Sequence, residues 1–198
     1  PHPHRGFETV TFALAGKVEH GDNQGNHGVI EPGDVQWMTA GQGILHKEYH
    51  ETEFSKKDRI LHMIQLWVDL PAEHKLTAPN YQAITRHQMG KYTSFDQDLE
   101  LTVYAGEVKG VKGPAETFSP MNIYKVDIGK DRSEEFLEPT DRPFLMTALS
   151  DLSEVFVISG QPLDQPVIHA GPFVMTTRED VRQAGLDFRS GKFGDINF

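Results

Sequence analysis

The chain has 198 residues and a formal net charge of −10, and six of its ten histidines fall among the first fifty residues. It contains no cysteine, which excludes disulfide bonds, iron–sulfur clusters, cysteine-based zinc sites and thiol nucleophiles. The acidic balance disfavours direct nucleic-acid contact, and neither a membrane-length apolar run nor a charged-then-apolar leader is found, so we expect a soluble, cytoplasmic protein.

Short strand-like segments separated by turns fill the first seventy residues. Their spacing of about ten residues, with turns at 21–25 and 31–34, predicts a β-sandwich or barrel. The last of them is apolar on both faces, which predicts a strand buried centrally between two layers. The predicted strands are 9–14, 17–20, 35–38, 44–46 and 60–68.

The second half opens less regularly. Residues 69–90, with Pro71 and Pro79, are typical of a linker. Three further strands are predicted, at 99–104, 122–128 and 154–158. A capping box starting at Thr177 then predicts one helix. Its apolar stripe is Val181, Ala184, Leu186 and Phe188, before Gly191.

Two pairs of candidate metal ligands share one spacing. His2 and His4 are two residues apart, as are His46 and Glu48. On a strand, side chains two apart point to the same face, roughly 6.5–7 Å apart at the backbone. If the two strands face each other inside a barrel, the four side chains form a cage of three imidazoles and one carboxylate.

This donor set restricts the choice of metal. One such pair is a weak signal, but two pairs bounded by Gly-rich turns are a stronger one. Without sulfur donors the set favours one divalent ion of the non-haem Fe(II) type over structural zinc. Ligand type alone leaves Mn, Ni, Cu and catalytic Zn open.

Three stretches carry a family resemblance. Residues 1–10, 32–48 and 171–176 closely resemble the pirin family of the cupin superfamily. The first contains the cupin pattern as His2, His4, Glu8 and Gly16, and the second contains Pro-Gly-Asp followed by the distal His46. The resemblance implies an iron held by His2, His4, His46 and Glu48.

The resemblance also implies an all-β fold of two cupin barrels, which are double-stranded β-helices or jelly rolls, with a C-terminal α-helix. We expect a metal-binding barrel at 1–75, and a metal-free barrel plus the helix at 76–198. Because the histidine motif begins at once, we expect further residues upstream of Pro1. The stretch 129–150 is shorter than the family pattern, so the second barrel is either reduced or lacks a segment.

Other residues are weighed as neighbours of the metal. Glu8 matches a ligand position of many cupins, but we place it outside the metal's direct ligands because a further ligand would fill the open coordination positions. Gln65 is expected to hydrogen-bond to a metal-ligating side chain or to a bound substrate. Trp67 lies on the same face of the strand and is interpreted as a core residue. Trp37, Met38 and Phe12 are candidate pocket residues.

Because side chains alternate along a strand, Arg5 and Lys47 are expected to face away from the metal ligands. The unpaired histidines, interpreted as surface or core residues, are His20, His27, His50, His62, His74, His87 and His169.

The resemblance implies a dioxygenase that cleaves flavonols such as quercetin with O₂. In that interpretation Glu48 also acts as general base toward the substrate hydroxyl, and Trp37 and Met38 accept a flat aromatic ring. The alternative is a non-catalytic, redox-sensitive regulator that binds a protein partner of the transcription-factor type, which the acidic charge suits. A cupin-type sugar isomerase is a further metal-dependent alternative.

Overall fold

The computed structural model describes residues 1–57 and 60–195, which form two compact units. The first unit combines Pro1–Arg86 with the segment from Asp164 onward, and the second is His87–Leu163. This division differs from the boundary expected at residue 75. It differs because a strand at Asn80–Ile84 pairs within the first unit and because the C-terminal helix bonds to that unit.

Two four-stranded antiparallel sheets form the first unit. Its elements are β1 (His2–His4), β2 (Phe7–Ala15), β3 (Val18–Asp22), β4 (His27–Ile30), β5 (Val35–Thr39), β6 (Ile44–His50), α1 (Thr52–Lys57), β7 (His62–Asp69) and β8 (Asn80–Ile84). One sheet has the order β1-β6-β3-β4 and the other β7-β2-β5-β8. Glu48 of the first sheet bonds to Gln36 and Gln65 of the second, so the two sheets face each other.

The predicted turns are confirmed and closed by aspartates. Between β3 and β4, the Asp22 carboxylate accepts from the backbone N–H groups of Gln24 and Asn26 at 2.9 and 3.0 Å. Before β5, Asp34 accepts from the backbone N–H of Glu31 at 3.0 Å, and Gly33 takes a φ of 91° that other residues rarely adopt. These turns fix the strand registers that bring the polar side chains together.

The structure corrects two expectations about the end of this half. Strand β7 is an edge strand beside β2, rather than a buried central one, and its Trp67 is 46% exposed. The supposed linker 69–90 contains a 3₁₀ turn (Ala72–His74) and strand β8, which pairs with β5. Pro71 and Pro79 flank these elements, so neither interrupts them.

The second unit is built on one four-stranded sheet and two hairpins. Its strands are β9 (Gly90–Thr93), β10 (Leu99–Ala105), β11 (Glu107–Val108), β12 (Val111–Lys112), β13 (Met121–Gly129), β14 (Ser133–Leu137), β15 (Pro143–Thr147) and β16 (Leu152–Gly160). The sheet order is β16-β13-β10-β9. The short stretch 129–150 forms hairpin β14–β15, whose Phe136 is buried in the unit's core with Tyr124 and Val126.

The chain ends in a hairpin and a helix that belong to the first unit. They are β17 (Ile168–Ala170), β18 (Phe173–Met175) and α2 (Arg178–Arg189). The predicted cap is confirmed, since the Thr177 hydroxyl accepts from the Asp180 backbone N–H at 3.0 Å. Ala184 is fully buried, and Asp187 pairs with Arg5 at 2.9 Å, which ties the helix to the end of β1. Within the described ranges, no helix has both the length and the apolar character needed to cross a bilayer.

Candidate metal centre

Three histidines converge where β1 pairs with β6. The antiparallel register sets His2 opposite His46, and the Nε2 atoms of these two rings lie 2.8 Å apart. The ring of His4 lies 4.6 Å from that of His2 and 4.8 Å from that of His46, measured between centroids. Each imidazole offers one nitrogen, and these nitrogens all lie within 4.8 Å of one another. His4 and His46 are buried, whereas His2 is exposed, so the cluster opens on one side.

Burial keeps these rings neutral. It lowers the pKa of His4 to about 4 and that of His46 to about 2, and the neighbouring imidazoles add to the effect in both cases. Burial also lowers the pKa of His2, against the pull of the Glu48 charge. Neutral imidazoles have a free lone pair, which is the form that binds metals. Three neutral nitrogens therefore fit a divalent cation, whereas the Glu48 carboxylate is grouped with His46 but with neither His2 nor His4.

Glu48 lies one pleat further along β6, on the same side as His46. Together with His20, these two residues form a second group whose ligand atoms lie within 4.8 Å of one another. His20 is directly opposite Glu48 in the β3–β6 register. The Glu48 carboxylate accepts hydrogen bonds from Gln36, Gln65 and Thr11. Both groups of residues in the described chain that could hold a metal ion therefore share His46.

His20 is a buried residue whose ring nitrogens have partners. Nδ1 lies 3.0 Å from the Gln36 amide nitrogen, and Nε2 lies 3.4 Å from an Asp22 oxygen. The ring also stacks on Tyr81, with centroids 4.8 Å apart. This agrees with its interpretation as a core histidine, but spacing along its own strand gave no sign that it would lie against the site.

An apolar cavity of about 350 Å³ lies one side chain away from the histidine cluster, since Phe7 and Trp67, which both contact the His4 ring, line it, whereas His2, His4 and His46 do not. The Trp67 ring forms one of its walls and contacts the rings of Phe7, His4 and His169, with centroids 4.3, 5.4 and 5.7 Å apart. The C-terminal segment therefore contributes to this cavity. Its lining residues are Phe7, Trp67, Asp69, Val167, His169 and Val174.

The predicted pocket residues do not line this cavity. Trp37, Met38 and Phe12 are at most 1% exposed and belong to the core. Thr11 and Gln36 point toward Glu48, so strand alternation turns Phe12 and Trp37 to the opposite side of their sheet. Met38 is two residues from Gln36 and so faces the same side as Gln36, where it packs with Ala40 and Ile44. None of the three residues lines the cavity.

Glu8 lies on the same side of its sheet as Phe12 and Trp37. It pairs with Thr39, whose hydroxyl donates to it at 2.7 Å, and burial raises its pKa. It belongs to neither group of residues in the described chain that could hold a metal ion. Among the pocket candidates only Gln65 contacts the site, although it is exposed rather than buried.

Alternation has the expected effect on the two basic residues beside the histidines. Arg5 donates to Asp187 and to the backbone oxygen of Gln42. The Lys47 ammonium lies 5.1 Å from the ring centroid of Tyr49. Thr11, Gln36 and the lining residues from the C-terminal segment were not predicted as site residues. Strand register is the signal that brings the first two to Glu48.

Comparisons with known proteins agree with this architecture. The family described as Pirin matches residues 1–68, and the family described as Pirin C-terminal cupin domain matches residues 122–194. A Pseudomonas aeruginosa protein provisionally named quercetin 2,3-dioxygenase is 39% identical, over 97% of this chain and 78% of its own. Human pirin is 35% identical, over 98% of this chain and 77% of its own.

A solved structure extends the agreement to the fold. The crystal structure of quercetin 2,3-dioxygenase from Acinetobacter baumannii superposes with a TM-score of 0.89 at 37% identity. The superposition covers 99% of this chain and 79% of that one. These matches confirm both the resemblance seen in the sequence and the predicted all-β fold of two cupin domains with a C-terminal helix.

Proposed function

Because the chain belongs to the pirin family, we propose that it is a metal-dependent dioxygenase that cleaves flavonols such as quercetin with O₂. The observation that carries the proposal is the cluster of three neutral histidines, whose neighbour Trp67 lines an apolar cavity. Cavities of a few hundred Å³ with apolar walls are typical of small-molecule sites. The names of the relatives from Pseudomonas and Acinetobacter support this choice of substrate.

His2, His4, His46 and Glu48 would hold the metal. The fit rests on the donors, since the three rings are neutral and the carboxylate is close to His46. Fe(II) suits a nitrogen and oxygen set without sulfur, and Mn, Ni, Cu and Zn are the alternatives. When bound, such an ion supplies Lewis acidity at the substrate oxygen and, for a redox-active metal, a path for electrons to O₂.

The side chains of the protein would bind, orient and deprotonate the substrate. Phe7, Trp67 and Val174 hold a flat ring by apolar contact and exclude water from one side of it. The Glu48 carboxylate takes the proton of the flavonol hydroxyl, which leaves a hydroxylate on the substrate and a carboxylic acid on the protein. Hydrogen bonds to Glu48 keep its oxygens at a fixed position for that transfer.

The cavity also bears on the alternative of a redox-sensitive regulator with a protein partner. A regulator needs no room for a substrate, whereas a dioxygenase needs an open volume within reach of the metal. The Trp67 ring lines the cavity and also packs edge-on against His4, so the volume lies one side chain away from the histidine cluster. This contact favours the catalytic proposal.

The test is O₂ uptake by protein loaded with Fe(II), measured together with loss of the flavonol's visible absorption. We expect coupled O₂ and quercetin consumption by the wild type and at least about a 100-fold lower rate for Glu48→Gln, the scale of a lost general base. Glu100→Gln, an exposed acid in the second unit, is the matched control and should keep full activity. No uptake with any flavonol, or unchanged turnover in Glu48→Gln, would refute the proposal.

A further inference from the structure

The carboxylate of Glu48 faces three polar residues that lie side by side across the opposite sheet. Thr11 on β2 is in register with Gln36 on β5 and with Gln65 on β7. Directly opposed residues of neighbouring strands project from the same side of a sheet. We call this set, Gln36, Thr11 and Gln65, the polar row.

Every member of the polar row hydrogen-bonds to Glu48. Gln36 Nε2 donates to Oε1 at 3.0 Å, and the Thr11 hydroxyl donates to the same oxygen at 3.2 Å. Gln65 Nε2 donates to Oε2 at 2.9 Å and also lies 3.0 Å from the Thr11 hydroxyl. Neutral donors therefore hold both oxygens of the carboxylate from the side of the second sheet.

The orientation of the Gln36 amide follows from its surroundings. Gln36 is fully buried, and its Nε2 lies 3.0 Å from both Glu48 Oε1 and His20 Nδ1. The NH₂ group has two hydrogens, so it can serve both acceptors. The reversed amide would set its oxygen against the carboxylate, which is unfavourable in a buried site. Gln36 therefore links His20 to Glu48 in one defined arrangement.

We propose that the polar row positions Glu48 for the metal, an inference that rests on the ligand set of the proposed function. Hydrogen bonds to a carboxylate are strong, and they fix its rotation before the metal arrives. The donors are uncharged, so they orient the carboxylate without neutralising it as a lysine or arginine would. Gln36, Thr11 and Gln65 are thus positioning residues that act through Glu48.

The test measures Co(II) affinity and the visible absorption of the Co(II) protein, neither of which requires turnover. Gln65→Met is the main variant because Gln65 is exposed and its loss leaves the core intact. Thr11→Val is a second variant of matched shape. The exposed Gln161, changed to Met, is the control. Each change is made with Glu48 present and again in Glu48→Gln.

We expect Gln65→Met and Thr11→Val to weaken Co(II) binding by about 10- to 100-fold and to shift the absorption bands, as for other partners of metal ligands. Gln161→Met should change neither. In the Glu48→Gln background the loss should shrink to under about threefold, because the row acts through that carboxylate. Unchanged or tighter Co(II) binding, or an equal loss in both backgrounds, would overturn the inference.

These outcomes separate the inference from the proposed function. If the wild type consumed no O₂ while Gln65→Met still weakened Co(II) binding through Glu48, the positioning role would stand and the dioxygenase proposal would fail. If the wild type cleaved quercetin while Gln65→Met bound Co(II) normally, the reverse would hold.

Discussion

Replacing Trp67 by alanine should weaken flavonol binding and leave the metal in place. The indole is 46% exposed, and its inner side is fixed by Phe7, with ring centroids 4.3 Å apart. Losing an aromatic partner costs a bound ring about 0.5–1.5 kcal/mol beyond the effect of area, and each Å² of lost apolar contact adds about 25 cal/mol. A total of about 2 kcal/mol corresponds to roughly a 30-fold rise in KM.

The assay is steady-state O₂ uptake with quercetin, fitted for kcat and KM, with metal content determined by elemental analysis. Trp67→Phe keeps a ring at the same position and should raise KM by less than about fivefold. An unchanged KM in Trp67→Ala would refute the assignment of the cavity as the substrate site. Loss of metal in that variant would show that Trp67 acts by supporting His4, whose ring lies 5.4 Å away.

Three further predictions concern the metal and the buried acids and histidines. His46→Ala should abolish metal binding, because His46 belongs to both groups of candidate ligands. His20→Phe should weaken metal binding by no more than about 100-fold. Metal titration of the two variants measures this difference in affinity. The unfolding free energy of the metal-free protein should fall as pH drops from 6.5 toward about 4, the folded-state pKa of His4, because the unfolded chain then binds more protons. Each histidine with a lowered pKa changes the free energy of unfolding by about 1.4 kcal/mol per pH unit in this range, which denaturant titration can measure. Glu8→Gln should raise the free energy of unfolding increasingly above pH 4.5, because burial raises the pKa of Glu8 in the folded protein. The same substitution should leave the metal content unchanged. Loss of metal would show instead that Glu8 is a ligand.

Local signals predicted the clustered histidines and the longer strands such as β2, β10, β13 and β16, but not the hairpins β14–β15 and β17–β18. The i, i+2 spacing of His2 and His4 indicates a shared side of a strand, and the structure sets both rings within 5 Å of that of His46. The turn at Asp22 and the helix cap at Thr177 could be predicted from the sequence, because each depends on a hydrogen bond between a side chain and a backbone N–H only a few residues away.

Long-range packing escaped prediction for a physical reason. Gln36 and Thr11 reach Glu48 only through strand register, which a single sequence does not specify. Trp67 has more apolar sequence neighbours than Trp37, yet Trp67 is 46% exposed and Trp37 is fully buried. His169 joins the cavity because the chain returns to the first unit after the second, a connection that no local pattern encodes.

Isotope labelling tests the central claim most directly. Fe(II)-loaded protein is incubated with quercetin under ¹⁸O₂, and the product is analysed by mass spectrometry, with a parallel reaction in H₂¹⁸O under unlabelled O₂. A flavonol dioxygenase predicts that both atoms of ¹⁸O₂ enter the cleaved product and that the water label is absent from the newly formed bonds. Label arriving from water alone, or quercetin recovered intact with no O₂ consumed, would contradict the account.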